Sequence, residues 1–199
     1  GIIALFTACS QAPQSPIDSV NPCIGTGFHG HTYPGATAPY GAVQLSPDTR
    51  KGNWDACSGY HYSDSTLMGF SHTHLSGTGC IDLGDILFRP SLQTPLAFSH
   101  SDEKASPGYY SVNLREAGVL AELTTTPHVG IHRYTYKKGI ESTLVVDMDH
   151  LLDNEYIYEG WVKQTGENEL TGMRRTRGWV DNQYVFFVCL LYTSPSPRD

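Results

Sequence analysis

The stretch "GYYSVNLREAGVLAELTTTP" (Gly108–Pro127) sets two runs of aromatic and aliphatic residues on either side of Glu116-Ala117-Gly118. Tyr, Val and Leu suit a pleated, half-buried surface, and a short glycine-bearing turn joins antiparallel strands. The stretch predicts a β-hairpin. Directly after it, "GIHRYTYKKG" (Gly130–Gly139) alternates. His132, Tyr134 and Tyr136 share one face, and Ile131, Arg133 and Thr135 share the other.

The same grammar continues outward in "STLVVDMDH" (Ser142–His150), "YIYEGWVKQ" (Tyr156–Gln164) and "QYVFFVCLL" (Gln183–Leu191). Strand signals recurring about every ten residues predict an all-β chain, folded as an antiparallel β-sandwich. Only "DHLLDNEYIYEG" (Asp149–Gly160) offers room for a helical turn. The 20 Gly, 12 Pro and 12 Tyr also favour short strands and turns over long helices.

The 199 residues suit one large domain, and 39% hydrophobic content is enough for a packed core. A net charge of −7 and only one small basic cluster, "RRTR" (Arg174–Arg177), argue against nucleic acid as a partner. Cys23, Cys57, Cys80 and Cys189 contain no CxxC pair, so a zinc ribbon or thioredoxin motif is unsupported. Their pairing is left open.

Both ends read differently from the middle. "GIIALFTACSQAPQSP" resembles the end of a lipoprotein signal peptide, with cleavage before Cys9 and lipid on its sulfur. Residues 1–19 are therefore expected to be signal and tether, and the protein an exported bacterial lipoprotein, periplasmic or anchored to the outer membrane. Any membrane contact is expected through that anchor alone. The final "LLYTSPSPRD" breaks the strand pattern, so residues 189–199 are expected to be a non-native tail on a domain spanning 20–188.

The chemistry concentrates in residues 20–84, which predict long Gly/His-rich loops. "NPCIGTGFHGHTYPG" (Asn21–Gly35) is too rich in glycine for a regular element, yet it carries Phe28, His29, His31 and Tyr33. Gly25-Thr26-Gly27 lacks the lysine and the strand–helix setting of a phosphate loop. In "KGNWDACSGYHYSDS" (Lys51–Ser65), Trp54 stands beside Asp55. An aromatic face packs on the apolar C–H face of a pyranose, and a carboxylate accepts bonds from its hydroxyls. The blander alternative makes Trp54 a core residue and Asp55 a turn residue. "GFSHTHLSGTGCIDLGD" (Gly69–Asp85) spaces His72 and His74 so that a strand would put them on one face, a possible metal pair with Asp82 or Asp85. Hydrogen bonding of these histidines to loop carbonyls or ligand hydroxyls is the alternative.

Taken together, "VNPCIGTGFHGHTYPGATAPYGAVQLSPDTR", "CSGYHYSDSTLMGFSHTHLSGTGCIDLGDI", "SPGYYSV", "AELTTTPHVGIHRYTY" and "MRRTRGWVDNQYVFF" resemble the N-terminal domain of glycoside hydrolase family 92. The resemblance runs from about Val20 to Val188. It implies an exo-acting α-mannosidase in which this sandwich packs on a C-terminal (α/α)-barrel that the 199 residues lack. It also implies calcium as cofactor, and inversion by an acid and a base set far enough apart to admit a water. Both carboxylates and the calcium would come mainly from the missing domain, so no catalytic residue is expected here. The sandwich would supply one wall of the pocket for a mannose-containing glycan, from N-glycans or mannan. On this resemblance Trp54 contacts substrate, with His29, His31, Asp48, Asp55, His72 and His74 as further candidates. Where the family usually reads "NPFIGTGGHGHT", this chain has Cys23 and Phe28, and the bulk of Phe28 would reshape the pocket rim. Two rival readings are a stand-alone carbohydrate-binding module and a metal-dependent hydrolase built on His72 and His74.

Overall fold

The computed structural model describes residues 15–153 and 156–193. Among them there is no α-helix, and therefore no helix long and apolar enough to cross a membrane. Cys9 and most of the expected signal lie outside the described residues, as do residues 194–199 of the expected tail. Cys189 and Leu190, also assigned to that tail, belong to the last strand.

Every strand pairing is antiparallel. One sheet has five strands in the order β1 (Ala36–Thr37), β2 (Gln44–Asp48), β4 (Gly69–Ser71), β5 (Leu87–Arg89) and β11 (Val145–Asp147). The facing sheet runs β10 (Gly130–Tyr136), β9 (Val119–Thr125), β8 (Tyr109–Leu114), β7 (Glu103–Ser106). A two-stranded ribbon of β3 (Thr66–Leu67) and β6 (Leu96–Ala97) adds Leu67 and Leu96 to the core.

The hairpin forms where the sequence placed it: β8 and β9 pair from Tyr109↔Thr124 to Leu114↔Val119 around a turn that ends at Gly118. Its inward residues Tyr110, Val112, Leu114, Val119, Ala121 and Leu123 pack against Leu45 of β2 and Phe70 of β4. Burying each large side chain contributes roughly 1.5–3 kcal/mol, which makes this layer the main source of cohesion. On β10 the expected alternation holds. His132, Tyr134 and Tyr136 turn inward while Ile131, Arg133 and Thr135 are exposed.

A third sheet joins β12 (Tyr156–Gly166), β13 (Glu169–Arg177) and β14 (Gln183–Leu190). The strand signals read from the sequence do not include β13, whose "RRTR" stands there only as a small basic cluster. Arg174 is instead 1% exposed. Its Nε donates to Asp85 Oδ1 at 3.0 Å, and its Nη1 donates to the His150 carbonyl. The other Asp85 oxygen accepts from Thr73 Oγ1 at 2.7 Å and Gln183 Nε2 at 2.8 Å. This buried ion pair fastens the third sheet to the loop ahead of β5. The outer row of β14 stays uncovered: Tyr184, Phe186, Val188 and Leu190 are all exposed.

Removing one partner of a buried pair strands the other charge. Arg174→Met is therefore expected to lower unfolding free energy by about 3–5 kcal/mol in urea titration. The double variant Asp85→Asn/Arg174→Met should lose less than the sum of the two single changes.

Candidate functional site: an aromatic shelf over a buried carboxylate

Asp48 ends β2 and is fully buried. His74 Nε2 donates to its Oδ1 at 2.7 Å, and His150 Nε2 donates to its Oδ2 at 2.8 Å. Burial alone would push this carboxyl up, but the charge of His74 and hydrogen bonds from both imidazoles outweigh it. They hold the group well below the usual carboxylate range. His74 Nδ1 bonds the Gln44 carbonyl at 2.7 Å. One carboxylate thus ties together β2, the loop after β4 and the loop after β11.

Gly59 lies directly over this pair. It has φ +85°, and a Cβ there would collide with Asp48 Oδ1. Glycine is required both by the left-handed backbone and by the close approach. Gly59 closes the turn that begins at Trp54–Ala56, a short 3₁₀ segment capped by the Asn53 side chain, which accepts from Asp55 N.

That turn presents Trp54, 54% exposed. Its Nε1–H donates to the Gly79 carbonyl at 3.0 Å, which fixes the indole orientation. His31 stands edge-on to it, with ring centroids 4.2 Å apart and planes at 82°. His31 is only 8% exposed, and its Nε2 finds no hydrogen-bond partner among the described residues. His29 lies 5.3 Å from Trp54 and pairs through Nδ1 with Asp55. Asp55 accepts from the Nδ1–H of His29, which leaves Nε2 on the other side of the ring. The result is an open shelf: an aromatic face, an imidazole and a carboxylate side by side. Two surface cavities, of about 370 Å³ beside Tyr62 and His100 and about 250 Å³ beside Glu167 and Tyr192, lie elsewhere.

His72 stands apart. Its Nδ1 meets the Ile86 carbonyl at 2.7 Å, so Nδ1 donates and Nε2 accepts. His132 Nε2, 3.0 Å away, must be the donor to it, which leaves His132 Nδ1 to accept from the Tyr134 hydroxyl at 2.8 Å. The chain of bonds is complete with both rings neutral. Burial brings His72 down to about 4 against the pull of the Ile86 carbonyl, and burial with the His72 neighbour brings His132 well below its ordinary value.

The seven candidate residues therefore separate. Trp54, Asp55, His29 and His31 meet at the shelf. Asp48 and His74 lie beneath it, and His72 belongs to the sandwich interior. His72 and His74 do not lie two apart on a strand, because β4 ends at Ser71, and each of their ring nitrogens already has a bond inside the protein. Among the described residues no group of three or more His, Cys, Asp or Glu is placed to hold a metal ion. Of the cysteines, Cys23, Cys57 and Cys189 are free thiols. Two functional positions carried no usable sequence signal, Gly79 under the indole and His150 on Asp48; the latter shows only as a histidine closing "DMDH".

The fold and site together define a class, a two-layer antiparallel sandwich that carries an exposed tryptophan, a carboxylate and imidazoles on its loops. The comparisons give the particular family. Residues 19–196 match the model of the glycosyl hydrolase family 92 N-terminal domain, and the chain belongs to that family. A family GH92 α-mannosidase from Bacteroides thetaiotaomicron, solved with mannoimidazole, superimposes with TM-score 0.82 at 39% identity over 86% of this chain and 24% of its own. The GH92 family glycosyl hydrolase ccman5 gives TM-score 0.70 at 28% identity, over 86% of this chain and 25% of its own. An uncharacterized secreted glycosidase of Arthroderma benhamiae is 28% identical, over 76% of this chain and 22% of that protein. The chain thus spans about a quarter of the length of the relatives it matches.

His72 and His132 protonate in the unfolded chain near their ordinary value of about 6.5 but resist doing so when folded. Their stabilising effect is complete above that pH and is lost as pH falls toward about 4. Asp48, depressed instead, keeps its contribution until pH drops below about 3.9. The urea midpoint should decline from pH 7 to pH 4, and His132→Gln should flatten that decline. A midpoint constant across this range would contradict the assignment.

Proposed function

We propose that this domain forms the substrate wall of an exported, inverting exo-α-mannosidase that removes terminal mannose from N-glycans or mannan. The exposed, hydrogen-bond-fixed indole of Trp54 carries the reading. A tethered ring offers its face to the C–H side of a pyranose without losing rotamer freedom on binding. Asp55 and His29 Nε2 are placed beside it to accept hydroxyl protons. The fold match to an α-mannosidase solved with mannoimidazole supports the choice of sugar.

Asp48 and His74 act in this reading as supports for the shelf, and His72 as a residue of the sandwich interior. The described residues do not suit calcium. Asp48 and Asp85 are occupied by imidazole and guanidinium donors, and Asp82 accepts from the Leu83 and Trp179 amides. A calcium ion serving the whole enzyme would take its ligands elsewhere in the protein, together with the acid and base. The bare row on β14 and the open shelf are the surfaces offered to that remainder. Export, with lipid on Cys9, completes the proposal; the word "secreted" in the description of the Arthroderma relative supports it.

The 199-residue chain, ¹⁵N-labelled at its three tryptophans, should show a saturable shift of the Trp54 indole N–H with methyl α-mannoside and none with the galactoside. Trp54→Ala should abolish binding without lowering the melting temperature. The same chain should not hydrolyse aryl α-mannosides, with or without calcium. Turnover by the pure chain would refute the division of roles.

A further inference from the structure

Phe28 occupies a backbone state that suits glycine. Its φ of 55° is left-handed, where a Cβ crowds the following carbonyl oxygen. The surrounding loop imposes it: the Phe28 carbonyl accepts from His61 Nε2 at 3.2 Å, Gly30 N bonds Gly27 O at 3.2 Å, and Thr32 N bonds Gly25 O at 3.1 Å. Such strain is ordinarily offset by burial of the side chain. Phe28 is 81% exposed, so its ring withdraws little apolar surface from water. Folding of these residues gives no reason for a phenyl group here, and a strained backbone that folding does not explain points toward function.

The ring has specific company. Its centroid lies 4.0 Å from that of His29, His29 lies 5.3 Å from Trp54, and Trp54 lies 4.2 Å from His31. Four rings form one continuous rim, with Phe28 at the outer end and a single imidazole between it and the indole. Tyr40 has the same φ of 55° and is fully exposed, but no ring accompanies it among the described residues.

We propose that Phe28 is a specificity-determining residue of the shelf. Its ring forms the outer wall and packs on the sugar unit adjoining the one held by Trp54, so the site distinguishes oligosaccharides from single sugars. The proposal rests on the sugar-site reading of Trp54.

The test compares the wild-type chain with Phe28→Gly and Phe28→Tyr, titrating the Trp54 indole signal with methyl α-mannoside and with an α-mannotriose. Glycine fits the left-handed position, so Phe28→Gly should melt at or above the wild-type temperature. It should weaken mannotriose binding about fivefold, the loss expected for one aromatic contact, and leave methyl α-mannoside nearly unchanged. Phe28→Tyr should bind as wild type. Equal affinity of wild type and Phe28→Gly for both sugars overturns the proposal, as does a lower melting temperature for Phe28→Gly, which would make the ring part of the fold. If the wild-type indole responds to neither mannoside, the sugar-site reading itself falls and Phe28 loses its role with it.

Discussion

Asp48 is the point on which the site depends. A carboxylate without solvent costs several kcal/mol unless it is fully bonded. Here two imidazoles from separate loops supply those bonds. The backbone around it is equally committed: Thr49 N bonds the Gly59 carbonyl at 2.7 Å, and Met68 N bonds the Asp48 carbonyl at 2.7 Å. Gly59 can approach so closely because it has no side chain, and its position sets the turn that holds Trp54 at the surface. The shelf is thus a surface feature whose geometry is decided by an anion in the interior.

What the sequence revealed depended on how local the determining physics is. The β8–β9 hairpin and the inward set His132, Tyr134 and Tyr136 follow from two-residue periodicity and a short turn, so they were legible. Strand β13 was not. Three arginines in "RRTR" look solvated, and only the Asp85 counter-charge, 89 positions away, lets Arg174 face inward. Trp54, Asp55, His29 and His31 could be grouped because aromatic, carboxylate and imidazole groups recur in glycine-rich loops. Asp48, His72 and His74 have the same residue types in equally suggestive runs, yet they lie inside. Depth is a tertiary property: the partners of His72 are the Ile86 carbonyl and His132, and nothing within its own heptad distinguishes it from an exposed histidine.

The shelf also shows how a loop becomes rigid without secondary structure. Trp54 is held by the Gly79 carbonyl, His61 by the Phe28 carbonyl and Ser63, and Arg50 by the Asp64 carboxylate. The bonds to the Gly79 and Phe28 carbonyls join segments 25 and 33 positions apart, and the other two brace the loop locally, so the aromatic rim is held from several sides. A surface held in this way keeps its shape before a ligand arrives, which reduces the ordering cost of recognition.

The ties to His150 and Arg174 reach back 102 and 89 positions. A nascent chain threading outward from its N-terminus therefore offers Asp48 only His74, 26 positions on, and offers Asp85 no guanidinium, long before His150 and Arg174 emerge. Until then neither acid has its full set of bonds, and the third sheet that Arg174 fastens is not in place. The shelf would consequently be among the last parts to take its final shape during synthesis, although nearly all of its own residues are made first.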